Sequence, residues 1–134
     1  MSNEDNKPLS QWEKRVKLTK FFYTYLIKSK ISIDINKEAI NDFQLDADQL
    51  RIFEYFIEHQ QELINIINQN TNDHWNCSRL NFVDQAILFE TISEYRVFHT
   101  DKKILIDQAL ITVKKYSDYQ NYKYINAILD KILN

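Results

Sequence analysis

No glycine occurs anywhere in the 134 residues. Helices that would ordinarily stop on a left-handed glycine must stop on something else, tight glycine hairpins are hard to build, and glycine loops that cradle phosphates are excluded. That favours an all-helical chain punctuated by Asn, Asp and Ser. The single cysteine, Cys77, excludes an internal disulfide and fits a reducing compartment. No apolar run approaches the roughly 18 residues needed to cross a bilayer. The polar start, Met-Ser-Asn-Glu-Asp-Asn-Lys-Pro, lacks the hydrophobic stretch of a signal peptide. A cytoplasmic protein with no membrane contact is expected.

What is present is enough for one core. Apolar residues make up 44% of the chain and aromatics 13%, within the range of globular proteins. At this length one domain over 1–134 is expected, with helical subdomains at 1–68 and 79–134 around a polar joint at 69–78. The formal net charge of −2 hides a segregation. Residues 1–30 carry seven Lys/Arg against three acids, and residues 102–134 carry six against three. The stretch between them has four against thirteen. If the two basic ends meet in space they form a positive patch suited to phosphate; if they do not, they are solvated helix surfaces.

Hydrophobic spacing predicts the elements. Leu18, Phe21, Phe22, Tyr25 and Leu26 recur at three and four within a helix from Trp12 to Lys28. Ile31 to Ile35 reads as an extended connector, followed by a short helix capped by Asn36. Asp46 or Asp48 opens a long helix with the stripe Phe53, Phe56, Ile57, Gln60, Leu63, Ile64, Ile67. From Asn81 to Phe98 apolar residues cover nearly the whole circumference, as in a central helix. Thr100 or Asp101 caps the next helix, with the seam Ile104, Leu105, Ala109, Val113, Tyr116, and Asp118 caps the last, with Ile125, Ile128, Leu129, Ile132 and Leu133. Six or seven helices result.

Groups for catalysis are few. His74 and Cys77 form half of a zinc site with no further ligand spacing to complete it. Glu90 and Glu94 lie one turn apart and could be an acid/base pair, but read better as the solvated or hydrogen-bonded strip of an apolar helix. No catalytic residue, metal or cofactor is expected.

The runs Trp75-Asn-Cys-Ser-Arg-Leu-Asn-Phe-Val-Asp-Gln-Ala-Ile-Leu88, Glu94, Ile104-Leu-Ile-Asp-Gln-Ala109, Lys114-Lys-Tyr-Ser117 and Tyr124-Ile-Asn-Ala-Ile-Leu-Asp-Lys131 agree in order and spacing with motifs of one family. Over these residues the chain resembles the NusB family. More weakly, Arg15 to Tyr23 lies on that family's R-x-x-A-L-Q-A-L-Y. The resemblance implies an all-α fold of two small helical bundles packed crosswise. It also implies a transcription antitermination factor for ribosomal RNA, binding single-stranded boxA-like RNA with NusE, a small-subunit ribosomal protein, in a transcription complex.

Carried over by position, the resemblance implies RNA contacts at Arg15, Tyr23, Lys123, Tyr124 and Asn126; for Asn126 a cap between helices is an equal alternative. Lys14 and Lys17 are basic neighbours on the first helix, and Tyr122 lies in the turn where the resemblance places RNA. Tyr116 reads as helix seam, while spacing leaves Tyr119 and Tyr122 open between RNA and core. Four departures bear on affinity. Gln11-Trp12-Glu13 stands where the family has an arginine cluster, Phe89 where it has an arginine, Glu90 where it has a leucine, and Ala127 where it has a glycine. Loss of guanidinium forks weakens phosphate binding more than it weakens the fold. The competing reading is a protein-interaction module on the same fold that has lost most RNA binding and self-associates, for example as a homodimer.

Overall fold

Ser10 starts the first helix through a reciprocal cap. Its hydroxyl accepts from the Glu13 amide at 3.1 Å and the Glu13 carboxylate accepts from the Ser10 amide at 3.1 Å. Helix α1 follows over Gln11–Lys28. Asp46 and Gln49 repeat the arrangement at the start of α2, Ala47–Gln69. Asn81 caps α3, Phe82–Phe98, by accepting from the Asp84 amide. Asp101 caps α4, Lys102–Tyr116, by accepting from the amides of Lys103 and Ile104. Asp118 caps a 3-10 turn, Tyr119–Asn121, that runs directly into α5, Tyr122–Ile132, instead of capping the last helix itself. This computed structural model describes residues 8–29, 43–71 and 76–134. The expected connector at 31–35, the short helix after Asn36, and His74 lie outside the described residues.

Among the described residues there are five α-helices and two 3-10 turns, fewer than the six or seven helices expected, and no strand. Helix α3 is central: every residue from Asp84 to Glu94 is buried, and α3 packs on each of the other four helices. Its apolar circumference is therefore what the position requires. An aromatic cluster joins α1, α2 and α3, with Phe21 and Phe53 edge-to-face at 4.7 Å and Phe56 against Phe89 at 4.8 Å. Phe89, which replaces a family arginine, is thus a core residue.

With no glycine available, α3 ends on His99 in the left-handed region, φ 53°, ψ 34°. Helix α2 bends at His59, where the ring Nδ1 lies 2.8 Å from the Tyr55 carbonyl and competes for the helix hydrogen bond. Two stripes need correction. Ile104 and Tyr116 are exposed, and the α4 seam is Leu105, Ile106, Ala109, Thr112 and Val113. Ile57 is also exposed, so the α2 stripe is narrower than its spacing suggests.

Candidate nucleic-acid interface

The two basic ends of the chain meet. Trp12, in the first turn of α1, donates its indole N–H to Thr112 Oγ1 of α4 at 3.1 Å. Lys115 Nζ lies 5.1 Å from the Trp12 ring centroid and 5.5 Å from that of Tyr116. Lys20 Nζ lies 5.1 Å from the Tyr116 ring. On the neighbouring side of α4, Lys114 Nζ sits 4.5 Å from the Tyr122 ring and 5.5 Å from the Tyr119 ring, and these two rings meet edge-to-face. Cations held over aromatic faces at such distances are weakly attracted to them, and the lysines stay close to solvent. The result is a surface of interleaved lysines and rings, the pattern that suits phosphates and unstacked bases.

The expected RNA residues divide among different places. Lys17 joins this surface, lining a groove with Trp12, Lys20, Lys115 and Tyr116, and its ammonium donates to the Gln44 carbonyl at 3.1 Å. Tyr23 is exposed on α1, and Lys123 and Asn126 are exposed on α5. Tyr122 is half-buried beneath Lys114.

Lys14 and Arg15 line a different cleft with Glu90, Glu94, Gln49 and Thr100. There the Arg15 guanidinium grips Glu94, Nη2 to Oε2 at 2.9 Å and Nε to Oε1 at 3.0 Å, and donates to Gln108 Oε1 as well. Thr100 Oγ1 donates to the same Glu94 carboxylate. Burial pushes Arg15 down, but the Glu94 hydrogen bonds and charge outweigh it and hold Arg15 above its usual value. For Glu94 burial acts upward and Arg15 downward, with a net lowering. Glu90 is fully buried, and burial first, then the Glu94 charge, raises it well above the ordinary carboxylate range. The surroundings thus split the pair, favouring the ionised form of Glu94 and the protonated form of Glu90. Both are buried, and Glu90 hydrogen-bonds to Glu94 and Thr91, so the pair forms the hydrogen-bonded strip of the helix and not a solvated one.

Tyr124 also has an internal task. Its hydroxyl donates to Asp84 Oδ2, to which Asn121 Nδ2 donates at 2.8 Å, and so α5 is pinned to α3. Burial and the Asp84 carboxylate raise the phenol far above its usual value, leaving it a donor at any working pH. The residue is only partly buried and lines a groove with Ala127 and Lys131.

Cys77 is buried, and burial raises its thiol to about 11, so it is a poor nucleophile. No group of three or more His, Cys, Asp or Glu able to hold a metal occurs among the described residues.

The family model described as the NusB family matches residues 9–134. The chain belongs to the NusB family. Transcription antitermination protein NusB of Ligilactobacillus salivarius is 31% identical over 105 residues, covering 76% of this chain and 80% of that protein. The protein of the same name from Borreliella burgdorferi is 32% identical over 123 residues, covering 76% and 84%. A solved structure of T. maritima NusB superposes with a TM-score of 0.79 at 23% identity, covering 95% of this chain and 92% of that one. The NusB-like all-α fold is thereby established. No helix among the described residues is long and apolar enough to cross a membrane.

The interleaved lysines and tyrosines from Lys114 to Tyr124 raise a nucleic-acid surface from sequence alone, but periodicity assigns Tyr116 to the helix seam, and Trp12 and Lys20 are not among the expected RNA residues. A partial signal existed: Trp12, Val16, Lys20 and Tyr23 follow one another at four, four and three, so they share a face of α1. That this NusB face meets the last turn of α4 is tertiary information.

Proposed function

We propose that this chain is an RNA-binding transcription antitermination factor. It binds boxA-like single-stranded RNA together with a NusE-type ribosomal protein within a transcription complex, in the cytoplasm, and takes no catalytic step. One observation carries the reading. Two basic ends far apart in sequence lie together, with Lys20 and Lys115 both beside Tyr116, on a protein whose net charge is negative. Local convergence of cations is what phosphate binding needs and bulk charge does not supply. Family membership and the names of the relatives support the same role.

Lys17, Tyr23, Tyr122, Lys123, Tyr124 and Asn126 are kept as RNA contacts, with Tyr124 acting through its ring face. Lys14 is kept with them; Arg15 acts first on the fold through Glu94 and Gln108, so reversing it would confound binding with stability. The competing interaction-module reading looked to exposed apolar residues on α2; of its large apolar residues only Ile57 stands out.

The test is binding of a labelled boxA-like RNA across a salt series, with and without the ribosomal-protein partner. Binding should strengthen with the partner, weaken with salt, and fall for Lys123→Glu. Partner binding that leaves RNA affinity unchanged, together with indifference to that reversal, would falsify this function and favour the interaction module.

A further inference from the structure

The groove between α1 and α4 is built differently from the arginine cluster that the family resemblance leads one to expect there. Gln11-Trp12-Glu13 carries no guanidinium, and the Glu13 carboxylate is turned back onto the Ser10 amide. In its place the chain offers an aromatic wall fixed in position. The Ser10–Glu13 cap sets the register of the first turn, and the Trp12 N–H to Thr112 bond sets the plane of the indole. Thr112 is itself held, since its hydroxyl donates to the Gln108 carbonyl at 3.0 Å. Tyr116 supplies a second ring, 40% exposed at the end of its helix. Lys17, Lys20 and Lys115 surround a space of about 330 Å³ between them, within the range of small-ligand clefts.

This combination selects a ligand class. Leu9, Val16, Phe43 and Glu13 complete the lining; a peptide helix would use the apolar wall but not the three lysines, and an inorganic anion would have no use for two rings. A nucleotide of an unpaired strand uses both: its base stacks on an aromatic face, and its phosphate takes the lysine that otherwise rests over that face. We propose that the Trp12–Tyr116 groove holds one nucleotide of single-stranded RNA, the base against Trp12 or Tyr116 and the phosphate on Lys20 and Lys115. The proposal rests on the RNA-binding reading above and adds a place and a mode to it: stacking replaces the lost arginine contacts.

The experiment uses the full chain and a boxA-like RNA carrying 4-thiouridine at successive positions. Ultraviolet crosslinking is followed by peptide mapping, and affinities are measured for Tyr116→Ala, Trp12→Phe, Trp12→Ala and Lys115→Gln. Crosslinks should map to Trp12 or Tyr116. Affinity should fall about tenfold for whichever of Tyr116→Ala and Trp12→Ala removes the ring that carries the base, as expected for loss of one stacked base, and little for Trp12→Phe. Thermal melts guard against misreading Trp12→Ala, which also loses the Thr112 bond; Tyr116 is outside the core, so its variant tests the groove without that complication. Crosslinks confined to peptides around Tyr122–Asn126, with unchanged affinity for both Tyr116→Ala and Trp12→Ala, would overturn the groove while leaving RNA binding intact. No RNA binding by the unaltered protein, alone or with its partner, would overturn both.

Discussion

Glu90 shows how one residue can work against the fold that holds it. It occupies a position where the family resemblance has leucine, is buried beside Glu94, and has an Oε1 with no hydrogen-bond partner in the structure. Arg15 is engaged by Glu94 and Gln108, so Glu90 avoids an uncompensated buried charge by keeping its proton. The sign of the pH effect follows. Glu90 holds a proton when folded at pH values where the unfolded chain has released it. Its contribution is therefore full below the ordinary value of 4.5 and declines as pH rises through the raised folded value. Glu94 behaves oppositely, contributing above that value and losing its contribution as pH falls. Glu90→Leu should therefore stabilise the protein by about 2 kcal/mol at neutral pH, with the gain shrinking toward pH 4.5. Urea midpoints across a pH series measure this, and a variant less stable than the parent at every pH would refute it. The sequence pointed to the Glu90–Glu94 spacing and not to its burial. Both depend on Arg15, 79 residues from Glu94, reaching across from another helix.

At the scale of elements, the helices were legible because four of the five described have a side-chain cap of their own and the apolar residues of each recur at helical spacing. Ser10, Asp46, Asn81 and Asp101 all cap where a helix begins. The misplaced seam of α4 has a physical reason. Tyr116 follows Val113 by three and Ala109 by seven, so its phase is right, but α4 ends there and Ser117 turns the chain away in extended form. Periodicity reports which way a side chain points and not whether another helix extends far enough to cover it. Ile104 is exposed for a different reason: with Ile111, seven residues on, it lies on the face of α4 turned away from Leu105, Ala109 and Val113. The end of α3 offers a prediction. His99 adopts φ 53°, a conformation that costs a residue with a Cβ about 1 kcal/mol. His99→Gly should raise stability by about that amount, read as a higher urea midpoint at unchanged slope. A lower midpoint would mean that the edge contact of His99 with Tyr95, 6.3 Å between centroids, contributes more than the backbone strain removes.

At the scale of the molecule the decisive fact is where the charges end up. Counting along the chain showed two basic ends and an acidic middle, but whether the ends meet depended on the first turn of α1 reaching α4, as the Trp12 to Thr112 bond shows. The family motifs placed RNA at the Lys123 region and also span Lys20, Lys114 and Lys115, but that these three lysines lie on one surface emerged only from the packing. Meeting ends make a testable difference to binding thermodynamics. If Lys17, Lys20, Lys114, Lys115 and Lys123 each neutralise one phosphate, log Kobs should fall with log salt at a slope of about −3.5, at roughly −0.7 per contact for a single strand. The double variant Lys20→Gln/Lys115→Gln removes one contact from each basic end and should flatten the slope by about 1.4. Glu58→Gln, in the acidic middle, should leave it unchanged. Titrations at four or five salt concentrations are sufficient to read these slopes. If the double variant keeps the parental slope, Lys20 and Lys115 hold no phosphate despite lying together, and the charge convergence serves packing instead. If Glu58→Gln flattens it equally, the slope reflects the overall field of the molecule and not contacts made where its ends meet.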